Sequence, residues 1–196
     1  MNKLVLKTVL FTLLAIAGVL CVTFFALFLF SPKTLGSVSK SLGNEKAAVF
    51  FYEKQYEKTD SAEDLAAVID LYDSEKDAET VFSLSEELVK KADFQSFCER
   101  KDDGASGIKT AEFYYAKYAV SAYLFKGGET SAEICKEGVL LSGYTEYNAF
   151  RYVMTSVELS ITDKAVFTAK ISSLTPTMSL AELAVASQDL SVLAVS

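Results

Sequence analysis

An uncharged apolar run near the N-terminus limits the fold of this chain more than any other feature. Residues 8–30 contain no charged side chain. As a helix rising about 1.5 Å per residue, a run of this length measures roughly 34 Å, slightly more than the hydrocarbon core of a bilayer. The sequence therefore predicts a transmembrane helix over residues 8–30, preceded by a short basic tail over residues 1–7.

A cleaved signal peptide is the alternative interpretation of this run. The apolar part of a signal peptide is about 7–15 residues long and is followed by small residues at the cleavage site. The run here is longer, although Ser37, Val38 and Ser39 offer a weak site of that kind. We therefore expect the segment to be retained as a signal-anchor of a single-pass membrane protein.

The basic residues around the run bear on its orientation. Lys3 and Lys7 precede it, and a short basic tail of this kind is typical of a cytoplasmic N-terminus. Lysines also follow the run, at Lys33, Lys40 and Lys46, so the charge bias is small. The expectation is a cytoplasmic N-terminus and an extracytoplasmic C-terminal domain.

The remainder of the chain is acidic and lacks the usual catalytic residue types. From Ser31 onward there are 17 Lys plus Arg and 26 Asp plus Glu, a net charge of −9, which argues against a nucleic-acid partner. The absence of histidine removes the commonest general base and metal ligand. The three cysteines lack C-x-x-C spacing and are predicted to be buried, inert thiols. We expect no catalytic residues, cofactor or metal, and no enzyme activity; carboxylate-only catalysis is a third, minor hypothesis.

After Asn44 the sequence pattern is helical throughout, which predicts an all-α fold. Residues 31–43 are small and polar and are predicted to be a juxtamembrane linker, and residues 44–196 a helical, repeat-like domain. Amphipathic periodicity and capping boxes beginning at Ser61, Ser74 and Thr130 divide that domain into helices. The predicted helices lie near 45–58, 61–73, 75–91, 93–101, 108–126, 130–142, 145–160, 163–174 and 176–195.

These helices pair as antiparallel hairpins of nearly constant length. The first helix of each pair begins near residues 45, 75, 108, 145 and 176, so successive offsets are 30, 33, 37 and 31. In this spacing the chain resembles the tetratricopeptide-repeat (TPR) superfamily of α-solenoids over residues 45–195. The resemblance implies stacked hairpins with a surface for a protein or peptide partner. The family's Trp- and Gly-containing motif does not recur, so an irregular helical bundle is the alternative.

Two groups of side chains are candidates for binding a partner. Tyr114, Tyr118 and Tyr123 lie on a helix that is apolar on two sides, where they either line a peptide groove or pack in the core. The last helix carries Leu183, Leu190 and Leu193 with few charges. These leucines either pack internally or form a docking edge for another chain.

The sequence thus predicts a membrane-anchored helical scaffold or adaptor that binds a partner protein or peptide at the membrane surface. An anchor of this kind raises the local concentration of whatever it holds. The alternative is an accessory or small-ligand-sensing subunit of a membrane complex, in which the apolar helix makes the main contacts. The oligomeric state is left open.

Overall fold

The structure, a computed structural model, describes residues 3–103, 109–137, 146–174, 176 and 178–195. Those residues form helices and connecting turns without a β-strand, so the predicted all-α class is confirmed. The first three helices are α1 (Lys3–Phe30), α2 (Pro32–Ser41) and α3 (Glu45–Thr59). The others are α4 (Ala62–Ile69), α5 (Ala78–Lys90), α6 (Phe94–Asp102), α7 (Thr110–Lys126), α8 (Gly128–Glu137), α9 (Glu146–Ser156), α10 (Ile161–Leu174) and α11 (Leu180–Val195).

The chain divides into two compact units. Unit 1 is Met1–Asp60 and contains α1–α3; unit 2 is Ser61–Ser196 and contains α4–α11. The division falls inside the first predicted hairpin, whose helices near 45–58 and 61–73 belong to different units. Helix α3 packs instead on α2.

Helix α1 contains the apolar run. Its segment Lys7–Phe30 has a mean hydropathy of 2.8 over the most apolar window, none of which is buried in the structure. This is one helix that is long and apolar enough to span a membrane, near the N-terminus. The length and composition predicted for residues 8–30 are confirmed.

Most of the segment predicted as a linker is helical. Pro32 occupies the start of α2, where its fixed φ and missing N–H fit a first turn. Gly36 lets α2 approach α3 closely, since a Cβ atom at this position would lie 2.7 Å from Cδ2 of Tyr52. The hydroxyls of Ser37 and Tyr52 lie 3.0 Å apart and join the two helices by a hydrogen bond. The small residues of this segment thus allow a close approach between two helices.

Unit 2 is built around α7. This helix packs against α5, α6, α8 and α9. Beyond α7, helices α8 and α10 are in contact, as are α9 and α11. The best-buried aromatic pair is Phe150 and Phe167, whose rings meet nearly at right angles with centroids 5.2 Å apart. Cys98 and Cys135 are buried free thiols in this unit, as predicted, whereas the prediction of burial is wrong for Cys21, which is exposed on α1.

The predicted helix starts are partly correct. Ser61 caps α4 by accepting a hydrogen bond from the amide of Asp64 at 3.2 Å. The predicted start at Ser74 is wrong, because α5 begins at Ala78 and the Asp73 carboxylate organises the preceding turn by accepting from the amide of Glu75. Helix α8 begins before the predicted Thr130, at Gly128. In the C-terminal segment, Thr175 lies outside the described residues and α11 begins at Leu180.

Candidate functional site

Tyr114 lies in a polar link between α7 and the end of α4. Its ring is buried, and its hydroxyl donates to Oδ2 of Asp70 at 3.0 Å. Nζ of Lys117 lies 3.1 Å from Oδ1 of the same carboxylate and 3.3 Å from the carbonyl oxygen of Ile69. Burial, reinforced by the negative charge of Asp70, raises the pKa of Tyr114. The phenol is therefore neutral and serves here as a hydrogen-bond donor between helices.

Tyr118 is also an interior residue. It is buried among the core residues of unit 2, and its ring lies 5.3 Å from that of Phe82 on α5. Tyr114 and Tyr118 thus pack within unit 2 in this structure and do not lie on its surface.

Tyr123 is half-buried and holds the start of α10. Its hydroxyl accepts a hydrogen bond from the amide of Ser160 at 3.0 Å and donates to Oδ2 of Asp163 at 3.1 Å. Ser160 in turn caps α10 by accepting from the amide of Asp163 at 3.2 Å. Burial raises the pKa of Tyr123. The three tyrosines are therefore spread along α7 with separate partners and do not form one shared surface.

The leucines of α11 have different environments. Leu190 is partly buried and packs against the core of unit 2, beside the fully buried Ala186. Leu183 is half-buried, and the side chain of Leu193 lies outside the described residues. Asp189 links α11 to α9 through an ion pair with Arg151, in which Oδ2 of Asp189 lies 3.3 Å from Nε of Arg151.

An open cleft lies between α7 and α9. It has a volume of about 280 Å³ and is lined by Glu112, Arg151, Tyr152 and Thr155. Arg151 and Thr155 are exposed one turn apart on α9, and Tyr152 and Glu112 are half-buried. Partial burial raises the pKa of Glu112. The cleft thus offers a cation, a carboxyl group, a hydroxyl and an aromatic ring within a short distance, a set suited to binding a polypeptide segment.

The sequence alone does not predict this cleft. The spacing of Arg151 and Thr155 places them on one helix face, but which helix lies opposite depends on the packing of α7 against α9.

A second candidate surface lies in unit 1, where α3 meets the end of α1. Four phenylalanines, two from each helix, form what we call the aromatic cluster: Phe24, Phe28, Phe50 and Phe51. The ring of Phe51 lies 6.3 Å from both Phe24 and Phe28. Lys58 donates from Nζ to the carbonyl oxygens of Leu29 and, at 3.5 Å, Phe28. This ammonium group therefore provides a partner for carbonyls that the end of α1 leaves without a helical donor.

An apolar groove runs beside the aromatic cluster. It has a volume of about 510 Å³ and lies between α1 and α2, lined by Leu20, Cys21, Thr23, Phe24, Phe25, Leu27 and Leu35. Its chemistry matches an acyl chain or an apolar helix, because nearly all of its lining is hydrocarbon.

The described residues supply little for metal or thiol chemistry. Among them, no three His, Cys, Asp or Glu side chains are grouped so as to hold a metal ion. Burial, with smaller contributions from Asp102 and Glu99, raises the pKa of Cys98 to about 12. This thiol therefore stays protonated at neutral pH, which suits a packing residue better than a nucleophile.

Comparisons with protein-family models, with curated proteins and with solved structures find no match for this chain. The class of the protein therefore rests on its own features. It is an all-helical protein with one N-terminal helix that is long and apolar enough to span a membrane.

Proposed function

We propose that the protein is a membrane-anchored helical adaptor that holds a partner protein or peptide at the membrane surface. Helix α1 is the anchor, and unit 2 carries the partner site. The observation that carries the proposal is the open cleft between α7 and α9, on a helical unit joined to a helix of membrane-spanning length.

The contacts of α1 support an anchor that is retained in the mature protein. Cleavage near Ser39 would remove Phe24 and Phe28 from the aromatic cluster and leave Phe50 and Phe51 without them. It would also remove the carbonyl groups to which Lys58 donates. Helix α1 therefore packs against other residues of unit 1, whereas a signal peptide that is cleaved off needs no such contacts. We further propose the signal-anchor orientation, with a cytoplasmic N-terminus and an extracytoplasmic unit 2.

The order of helix contacts in unit 2 supports a TPR-like arrangement. Helices α5, α7, α9 and α11 contact one another in succession, and α8 contacts α10. Alternate helices pack in this way when hairpins stack side by side, and each hairpin then contacts its neighbours. On this interpretation the cleft lies between the first helices of two adjacent hairpins, formed by α7–α8 and α9–α10.

The charge of unit 2 sets the kind of partner that we propose. Residues 61–196 contain 12 Lys plus Arg and 22 Asp plus Glu, a net charge of −10. A basic segment would be steered toward such a unit, and its association rate would fall with added salt. Within the cleft, Glu112 would provide a carboxyl group for such a segment and Tyr152 the larger apolar contact, since Tyr is enriched among residues that dominate binding energies.

A photocrosslinking residue at Thr155, in native membranes, tests the partner site. The matched control is a crosslinker at Ala169, an exposed position of α10 that does not line the cleft. We expect a discrete adduct from position 155 that disappears in a Glu112→Lys background, because a second cation in the cleft repels a basic segment, with no such adduct from position 169. Equal labelling from both positions, or an adduct that Glu112→Lys leaves unchanged, would contradict the cleft as the partner site.

The apolar groove of unit 1 favours one alternative function, an accessory subunit of a membrane complex. A partner's transmembrane helix would match the hydrocarbon lining of that groove, and α1 would then make the main contacts. A crosslinker at Thr23, which lines the groove, distinguishes this alternative. An adduct from position 23 with none from position 155 would favour the subunit over the adaptor.

A further inference from the structure

The aromatic cluster links α3 to a defined level of α1. Two of its rings, Phe24 and Phe28, belong to the helix of membrane-spanning length, and the other two belong to α3. The rings of Phe28 and Phe50 are stacked with centroids 6.5 Å apart. A bilayer that surrounds Phe24 and Phe28 therefore reaches the Phe50 and Phe51 side chains as well.

The level of the cluster along α1 corresponds to a membrane interface. Phe28 and Phe24 lie two and six residues before Phe30, so they are roughly 3 and 9 Å from that end of the helix. Apolar side chains of interfacial helices insert about 5–10 Å into the boundary between headgroups and acyl chains. Aromatic rings are also enriched at this depth.

The polar groups of unit 1 fit the same location. Lys58 caps the carbonyl end of α1, and a lysine can lie along an apolar surface while its ammonium group remains in the polar layer. Residues 31–60, which follow the spanning run, contain five lysines and four acidic residues, a net charge of +1. This segment therefore carries no net negative charge that anionic headgroups would repel.

Unit 1 also exposes apolar side chains on α2, α3 and the turn between them. Val38, Leu42 and Phe50 are 49%, 78% and 46% exposed. Contact with lipid would remove this surface from water, and the surface continues that of α1, whose own apolar side chains are exposed.

We propose that the α2–α3 hairpin lies in the headgroup–acyl boundary of the bilayer, with the exposed edge of Phe50 against lipid. The hairpin is then an interfacial part of the anchor, and the membrane site extends beyond the spanning helix. This inference rests on the proposed function, because it requires α1 to cross the membrane.

Single tryptophans can test this proposal, since the chain contains none. The probe is Phe50→Trp. Its matched control is Phe125→Trp in unit 2, where the parent side chain is 37% exposed, and the membrane reference is Phe25→Trp in α1. Each full-length variant is reconstituted into phosphatidylcholine vesicles containing lipids brominated near the headgroup end of the acyl chains. We expect a loss of emission by quenching for Phe50→Trp close to that of Phe25→Trp, and none for Phe125→Trp.

The outcomes separate this inference from the anchor itself. An unquenched Phe50→Trp beside a quenched Phe25→Trp would overturn the interfacial hairpin and leave the anchor intact. If Phe25→Trp were also unquenched, the anchor and the proposed function would fail together. If circular dichroism shows that Phe50→Trp has lost helix, Leu42→Trp replaces it, with Ile161→Trp as a control of similar exposure, 84% against 78%. An unquenched Leu42→Trp would likewise overturn the proposal.

Discussion

The two units of this protein differ in charge and in what holds them together. Unit 1 carries a net charge of +3 and unit 2 of −10. In unit 2 the core contains large side chains with no exposed surface, such as Phe150, Phe167 and Ile171. Among the described residues of unit 1, the buried apolar side chains are Pro32, Leu35 and Ala48, and the large apolar side chains of α1 are mostly exposed.

This difference indicates which environment each unit requires. Unit 2 has an interior that excludes water, so its stability comes mainly from its own core. Unit 1 has few buried side chains, so only contact with another apolar phase would remove much of its apolar surface from water. If the proposals above hold, unit 1 is matched to lipid and unit 2 to water and a partner. A substitution that removes packed side-chain atoms from one unit should then destabilise that unit without unfolding the other. The Phe50→Trp and Phe125→Trp reporters follow units 1 and 2 separately.

The largest expected effect comes from Phe167→Ala. Phe167 has no exposed surface and packs edge-to-face on Phe150. Removing a buried phenylalanine side chain costs about 3–5 kcal/mol. Denaturant unfolding of the full chain in detergent micelles, followed by the Phe125→Trp reporter, should show this loss in unit 2. The Phe50→Trp reporter should keep its parent midpoint, and a parallel shift there would contradict the independence of the units.

Leu190→Asp should have the next largest effect, and it distinguishes core packing of α11 from a docking edge. Leu190 packs against the core of unit 2, whereas Leu180 is 88% exposed. Full burial of a leucine is worth roughly 1.5–3 kcal/mol, so loss of a partly buried leucine should cost about 2 kcal/mol.

The control is Leu180→Asp, which should leave the melting temperature unchanged. Both variants are measured at a concentration at which the parent is monomeric. If α11 is a docking edge, the Leu190→Asp melting curve will instead overlay that of the parent, while self-association or partner capture is lost.

Unit 1 should respond to a smaller change at Gly36. The methyl group in Gly36→Ala would lie 2.7 Å from Cδ2 of Tyr52, so α2 and α3 must separate or the ring must turn. Overpacking of this kind costs about 1–3 kcal/mol, partly offset by the higher helix propensity of alanine. The Phe50→Trp reporter should record a lower midpoint.

Gly18→Ala is the matched control for Gly36→Ala. A Cβ atom at Gly18, also helical, meets nothing within 4 Å. This variant should be neutral or slightly stabilising in the same assay. A neutral Gly36→Ala would show that the close approach of α2 and α3 does not limit the stability of unit 1.

The helices of unit 2 were predictable because their signals are local. Apolar periodicity predicts a helix for each of α4 to α11, as it does for α3 of unit 1, and Gly127 ends α7 as a glycine with positive φ should. Helix α2 was not predicted because its sequence has few large apolar residues and many serines. It packs on α3 through Gly36 and Tyr52, a contact between residues distant in sequence that no local pattern records. The unit boundary at Asp60 was missed for the same reason.

The candidate surfaces were harder to predict than the helices. Periodicity places Tyr114, Tyr118 and Tyr123 on α7, but burial depends on which helices surround it. The cleft involving Arg151 and the pairing of Lys58 with the end of α1 each join residues far apart in sequence. The sequence identified the kinds of side chain available, and tertiary packing decided which of them meet.

The smallest expected effect is an alkaline weakening of unit 2 through Tyr114. Burial first, and then Asp70, raises the pKa of this phenol above its unfolded value of about 10. Because the folded state favours the neutral form, its contribution to stability is complete below the unfolded pKa. It is lost as pH rises from that value toward the folded pKa.

At neutral pH, Tyr114→Phe should cost about 1 kcal/mol, the worth of one hydrogen bond. Between pH 9 and 11, the variant should lose less stability than the parent, so the two curves converge. Asp70→Asn provides the control, since Tyr114→Phe should cost less in that background if the pair acts together. Parallel pH curves for parent and Tyr114→Phe, followed by the Phe125→Trp reporter, would show that this phenol does not govern the alkaline stability of unit 2.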